Sequence, residues 1–116
     1  MGLIVRTGSG VYVSPGREVI ASQEDLLELI GLCGEAGTDR LLFPGGSLPE
    51  DFFDLSTGLA GELGLKLSTY RIKAAVVVDL NAVPSRRFRE WAGECNRGRE
   101  IHFCLSEENA VEWLLA

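Results

Sequence analysis

Five consecutive apolar residues, Ala74-Ala75-Val76-Val77-Val78, run without a polar interruption and end at Asp79. A short run rich in β-branched side chains, with no alternation, predicts a strand buried on both faces, and such strands lie inside parallel sheets. Parallel neighbours cannot be joined by tight turns, so helices must stand on either side of this strand in the sequence.

The flanking sequence supplies them. Leu3–Thr7 and Val11–Val13, split by Gly8-Ser9-Gly10, predict a β-hairpin. Ser14-Pro15-Gly16 turns the chain, and Glu18–Ile20 reads as a brief extended piece. Ser22 and Asp25 form an S-x-x-D start, followed by Leu26, Leu29, Ile30 and Cys33 on one helical face, with Gly34 or Gly37 as the stop. Arg40–Phe43 is a strand closed by Pro44-Gly45-Gly46. Ser47 and Glu50 form a second capping box with Pro49 between them, predicting a short helical turn over 49–54.

Ser56-Thr57-Gly58 opens the next helix, whose buried face is Leu59, Ala60, Leu63 and Leu67. Gly58, Gly61 and Gly64 recur on it, a spacing that predicts another backbone packed close, or failing that room for a ligand. After the central strand, Pro84 leads into Phe88, Trp91, Ala92 and Cys95 at helical spacing, with Gly98 as the terminating glycine. Ile101–Leu105 is the last strand, and Ser106 caps a helix burying Ala110, Trp113 and Leu114. The expectation is one α/β domain over residues 1–116: a single layer of mostly parallel sheet with an N-terminal β-hairpin and about four helices.

A chain of 116 residues that is 46% hydrophobic can bury a core without staples. Its net charge of −6 makes nucleic acid an unfavourable partner. The charge is uneven: residues 1–65 hold 10 acids and 3 bases, residues 66–116 hold 7 acids and 8 bases. That asymmetry is able to orient a partner or a second copy, or else serves only as a solvated surface. Cys33, Cys95 and Cys104 form neither a disulfide framework nor a zinc motif, which fits a reducing cytoplasm. Leu3–Val5 is too short for the core of a signal peptide, and the Met1-Gly2 start lacks the Ser or Thr that an acylation motif needs at Arg6. No run is long enough to cross a membrane.

No catalytic set is complete. Gly8-Ser9-Gly10 and Gly45-Gly46 match neither the dinucleotide nor the P-loop pattern, so no cofactor is expected. Glu50, Asp51 and Asp54 crowd one turn, and Asp79 ends a strand where α/β sites usually lie. A carboxylate pair there can do acid–base work if one pKa is raised, and otherwise serves the helix dipoles. His102 sits inside a strand with no Ser or Cys that marks a triad, and reads as a packed or edge histidine; Cys95 and Cys104 read as small core residues. Asn96-Arg97-Gly98-Arg99 places two arginines at a helix end, suited to its dipole or to an anion.

Asp54-Leu55-Ser56-Thr57-Gly58-Leu59-Ala60-Gly61, following a strand, is similar to the Asp-Ser-Ser-Gly-Leu-Gly step of the anti-sigma-factor antagonist (STAS) domains. In that family the step starts a helix and carries a serine phosphorylated by a partner kinase, so the resemblance implies a STAS-like α/β fold with Ser56 or Thr57 at the switch position. Leu55 is an extra residue relative to that step, the loop from Pro44 to Phe53 is longer, and an N-cap role for Ser56 or Thr57 stands beside the switch reading. Over nearly the whole chain, the strings LPEDFFDLSTGLAGEL, Tyr70-Arg71-Ile72-Lys73, Glu94-Cys95-Asn96-Arg97-Gly98 and Ala110-Val111-Glu112-Trp113-Leu114 resemble a family of small bacterial proteins known as a domain of unknown function, number 4180 in that series. That resemblance implies the same fold and supplies no activity.

Two functional readings follow. One is a non-catalytic binding or regulatory module that meets a protein partner or a second copy through the 47–58 loop, with Asp51, Phe53, Asp54, Ser56 and Thr57 as contacts. Phe52 and Phe53 are adjacent, so one helical face cannot bury both. The other is a small enzyme or ligand binder with its pocket between loop 44–57, Asp79 and Asn96-Arg97, in which Asp51 or Asp54 faces Arg97 or Tyr70.

Overall fold

Gly8 and Ser9 reverse the chain between Leu3–Thr7 (β1) and Gly10–Ser14 (β2), which pair antiparallel from Thr7↔Gly10 to Leu3↔Ser14. Thr7 Oγ1 accepts from the Ser9 and Gly10 amides at 3.1 and 3.2 Å and so holds the turn. The computed structural model describes residues 2–116; Met1, of the Met1-Gly2 start that fails the acylation motif, lies outside them. Residues 18–20 form no strand. The Ile20 amide instead donates to the Ser47 carbonyl at 2.7 Å, an isolated tie between two loops.

Ser22 Oγ accepts from the Asp25 amide at 3.2 Å, and the Asp25 carboxylate accepts from the Ala21 amide at 3.0 Å. Gln23–Ala36 (α1) therefore starts where its capping spacing puts it, and Gly37 ends it at φ 68°, a conformation open to glycine without a Cβ penalty. Arg40–Phe43 (β3), Leu59–Tyr70 (α2), Lys73–Val77 (β4), Arg86–Cys95 (α3), Ile101–Cys104 (β5) and Glu107–Leu114 (α4) complete the order.

The strands lie side by side as β1-β2-β3-β4-β5. β2 through β5 run parallel and β1 antiparallel, so the sheet is mixed. A sheet that advances in one direction through right-handed crossovers sends each connecting helix to the same face. Accordingly Leu29 of α1, Leu67 of α2 and Phe88 of α3 share one core with Val13, Leu41, Phe43, Ala74, Val76, Ile101 and Phe103. The alternate strand positions Tyr12, Leu42, Ala75 and Cys104 point the other way and are covered by Ala110 and Leu114 of α4. Ala74 and Ala75 are both fully buried, as the uninterrupted run in β4 predicts.

Three sequence expectations change in detail. Gly61 faces open space, and at Gly64 a Cβ would lie 3.9 Å from the Ile101 Cδ1, so no backbone packs against this helix face. Gly58 is needed for its φ of 81°, which starts α2. Asn96 rather than Gly98 caps α3: its backbone stays right-handed, and the Gly98 amide closes a turn on the Cys95 carbonyl at 2.9 Å.

The two sheet margins differ. On β5 the Asn96 amide takes both backbone groups of Phe103, accepting from its N–H at 2.6 Å and donating to its carbonyl at 3.2 Å. A neighbouring strand would make those same bonds. On β1 no such cover is present among the described residues, and Leu3 is 56% exposed. Arg71, just past α2, is the sole non-glycine among the described residues with positive φ, at φ 56° and ψ 46°. That conformation costs a side-chain-bearing residue about 1–2 kcal/mol.

His102 lies on the α4 face, stacked on Trp113 with ring centroids 4.6 Å apart, its Nδ1 3.4 Å from Cys104 Sγ. Lys73 Nζ stands 4.3 Å over the same indole and donates to the Trp113 carbonyl at 3.2 Å. Burial lowers the His102 pKa below its usual 6.5; the Asn96 backbone opposes this and the Lys73 charge adds to it. The folded chain thus binds this proton less readily than the unfolded chain. Its contribution to stability is complete above about pH 6.5 and declines as pH falls below that value. In urea titrations between neutral pH and the onset of carboxylate protonation, His102→Phe, which keeps the stack and loses the proton, will flatten that part of the profile. Asn96→Ala will lower unfolding free energy by about 1–3 kcal/mol, since it strips two bonds from the β5 margin.

Candidate functional site

Beyond β3 the chain must travel from the carboxyl end of the sheet to the start of α2, and it does so in two consecutive 3₁₀ turns, Glu50–Phe53 and Leu55–Thr57. Ser47 is 1% exposed and donates through Oγ to the Pro44 carbonyl at 2.7 Å, so it pins the loop instead of capping the first turn. Pro49 occupies the cap position without a side-chain bond. Asp54 caps the second turn: its Oδ1 accepts from the Ser56 amide at 3.0 Å and from the Ser56 hydroxyl at 2.6 Å. The Thr57 hydroxyl, shared between the Asp51 carbonyl at 2.6 Å and the Asp54 carbonyl at 2.8 Å, stitches the two turns together. Its oxygen also accepts a long 3.4 Å bond from the Leu59 amide, a weak form of the capping role its position suggests.

β4 leaves the sheet beside these turns. Asp79 Oδ1 accepts from the Asn81 amide at 3.0 Å and caps a third short turn, Leu80–Ala82. Between the two segments opens a cleft of about 520 Å³, bounded by Glu50, Asp51, Phe53, Asp54, Val78, Asp79, Ala82, Val83 and Pro84. Four carboxylates share it with an aromatic wall. Phe52 points inward and is buried; Phe53 is half-buried, its ring 5.2 Å from Phe52 and 5.3 Å from Phe88, edge to face. Adjacent residues do face different ways here, but the same aromatic cluster holds both.

Asp54 titrates below the ordinary aspartate range, held there first by the Ser56 hydroxyl and amide, with a smaller favourable contribution from the Arg87 charge. It stays ionised at neutral pH. Arg87 and Arg89 belong to the Arg86-Arg87-Phe88-Arg89 start of α3, and three arginines in four positions after a serine cap are their signal in the sequence. Arg89 anchors the far wall of the cleft by donating through Nη1 to the carbonyls of Val83 and Pro84.

The structure brings Asp51, Phe53, Asp54 and Asp79 to one cleft; Ser56 and Thr57 are exposed and bonded to Asp54 but do not line it. It does not bring Tyr70, Asn96 or Arg97 there. A crossover helix runs antiparallel to the strands it joins, so the last turns of α2 and α3 return towards the strands' amino ends. Tyr70 is 50% exposed at the end of α2. The Asn96 side chain is occupied by Phe103, and Arg97 Nη1 lies 3.9 Å from Glu94. The arginine whose charge acts on Asp54 is Arg87, at the opposite end of the helix from Arg97.

Burial raises the thiol pKa of Cys33 to about 11 and those of Cys95 and Cys104 above their usual value, so all three remain thiols at neutral pH. Among the described residues no cluster of His, Cys, Asp and Glu is disposed to hold a metal ion, and no helix is long and apolar enough to cross a membrane. The Asp54 geometry has a direct check. The carboxyl-carbon NMR titration of Asp54 will have its midpoint below that of a free aspartate, and Ser56→Ala will move it upward without displacing the backbone signals of α2.

Neither the curated proteins nor the solved structures searched contain a match to this chain. One family model does match, over residues 8–114, from the hairpin turn to the last turn of α4. By that match the chain belongs to the family described as a domain of unknown function, DUF4180.

Proposed function

We propose that this chain is a non-catalytic binding or regulatory module, and that the cleft between residues 50–57 and 78–84 receives a positively charged, partly apolar segment of a protein partner or of a second copy. The observation that carries this reading is the company the carboxylates keep: Glu50, Asp51, Asp54 and Asp79 line one open cleft together with Phe53 and Val83. Ionised acids around apolar surface complement lysine or arginine side chains, whose aliphatic stems pack while their heads pair. Acid–base chemistry needs a group with its pKa near the working pH, and Ser56 holds Asp54 on the other side of its ordinary value. The cleft volume, within the roughly 300–1,000 Å³ of small-molecule sites, favours a small cationic ligand or an enzyme active site as the second reading.

The STAS-like reading rests on the element order, a hairpin followed by alternating helices and strands, and on a hydroxyl-bearing turn ahead of α2. A phosphate on Ser56 would stand beside Asp54, whose oxygen already lies 2.6 Å from the Ser56 hydroxyl, and would add like charge to an acidic cleft. Recognition of a cation fits this turn better than a phosphorylation switch does. Three free cysteines support a reducing cytoplasm as the working compartment.

The test is a titration of the ¹⁵N-labelled protein with a short peptide of alternating lysine and leucine. Amide shifts should concentrate at 50–57 and 78–84 and weaken with salt. They should vanish in an Asp51→Asn, Asp54→Asn, Asp79→Asn variant, in which the turn-capping oxygens are kept. Light scattering of the free protein tells a second copy from a foreign partner. Shifts scattered over the surface, or unchanged in the triple variant, would overturn the reading. Phe53→Ala is the poorer probe, because it also opens the aromatic cluster around Phe88.

A further inference from the structure

The end of the sheet opposite the acidic cleft carries the reverse charge. At the amino ends of the strands a recess of about 280 Å³ is lined by Asp39, Arg40, Leu67, Ser68, Arg71, Ile72, Lys73, Arg99 and Glu100. Four cations face two carboxylates there, in a chain whose net charge is −6. Asp39 is engaged by Arg40 at 2.7 Å. Lys73 gives a bond to the Trp113 carbonyl at 3.2 Å, which fixes its ammonium in place. Arg71 and Arg99 form no salt bridge and no side-chain hydrogen bond among the described residues, so two guanidinium forks are left with no protein acceptor.

Two of these cations also act on a third. The Lys73 pKa is lowered first by burial, then by the charges of Arg40 and Arg99, with Asp39 acting against them. Arg71 holds the left-handed conformation that glycine adopts freely, so its side chain is kept where the backbone disfavours any. Strain, mutual repulsion and unused donors in one recess are the features of a site completed by an anion.

We propose that this recess binds the phosphate group of a small phosphorylated metabolite, with Arg71 and Arg99 as the bidentate donors and Lys73 and Arg40 supplying field. Two planar forks and an ammonium suit a dianion with three terminal oxygens better than a single carboxylate. Asp39 and Glu100 also line the recess, and their negative charge weighs against polyanions.

Isothermal titration calorimetry at constant ionic strength decides the matter, with inorganic phosphate and glycerol 3-phosphate as probes and acetate as the control. Saturable one-site binding of both phosphates is expected, weaker by about tenfold or more in Arg71→Gly and in Arg99→Ala. Arg71→Gly keeps the left-handed backbone and relieves its strain, so misfolding does not mimic the loss. Asp54→Asn, at the other end of the sheet, should bind phosphate like the parent, which separates this site from the acidic cleft. Absence of saturation, parent-like affinity in both arginine variants, or equal binding of acetate would overturn the proposal.

Discussion

The ring of Phe88 is the point through which the acidic end of this molecule is tied to its core. It is fully buried and meets Phe52, Phe53, Trp91 and Phe103 edge to face, at centroid distances of 5.8, 5.3, 5.4 and 5.7 Å. Those partners come from the first 3₁₀ turn, from α3 itself and from β5. A loop of polar and acidic residues cannot hold its shape by its own hydrogen bonds in water. Here the loop is fixed because its two phenylalanines belong to the sheet's core. The carboxylates of Asp51 and Asp54 are therefore displayed on a mount that the core holds in place.

That arrangement was half legible in the residues. The run in β4, the serine caps at Ser22 and Ser106 and the spacing of apolar residues in α1 and α3 are local signals, each set within a few positions, and each element begins close to where those signals place it. The convergence of Asp54 with Asp79 was also readable, because both follow parallel strands and the carboxyl ends of such strands share one side of the sheet. Arg97 was misplaced for the same topological reason read in reverse: it follows a helix, not a strand, and a helix returns to the other side. The burial of Ser47 was invisible because its partners are backbone groups of Pro44 and Ile20, which no side-chain pattern announces.

The uneven charge along the sequence acquires a direction in space. Four acids line the cleft where β3 and β4 end, and four cations with two acids line the recess where β3, β4 and β5 begin. Since successive parallel strands all point the same way, residues just before strands and residues just after them are sorted to opposite poles of the fold. The sheet thus sets an acidic cleft and a predominantly basic recess at opposite ends of its strands.

Asn96 has a consequence beyond the stability of β5. By occupying Phe103 it blocks strand pairing at that position of β5, while among the described residues β1 carries no such block. A body with a single adhesive border can be joined there once and then offers no free border on either side. Any sheet-to-sheet union of two such molecules therefore stops at a pair and does not run on into a fibre.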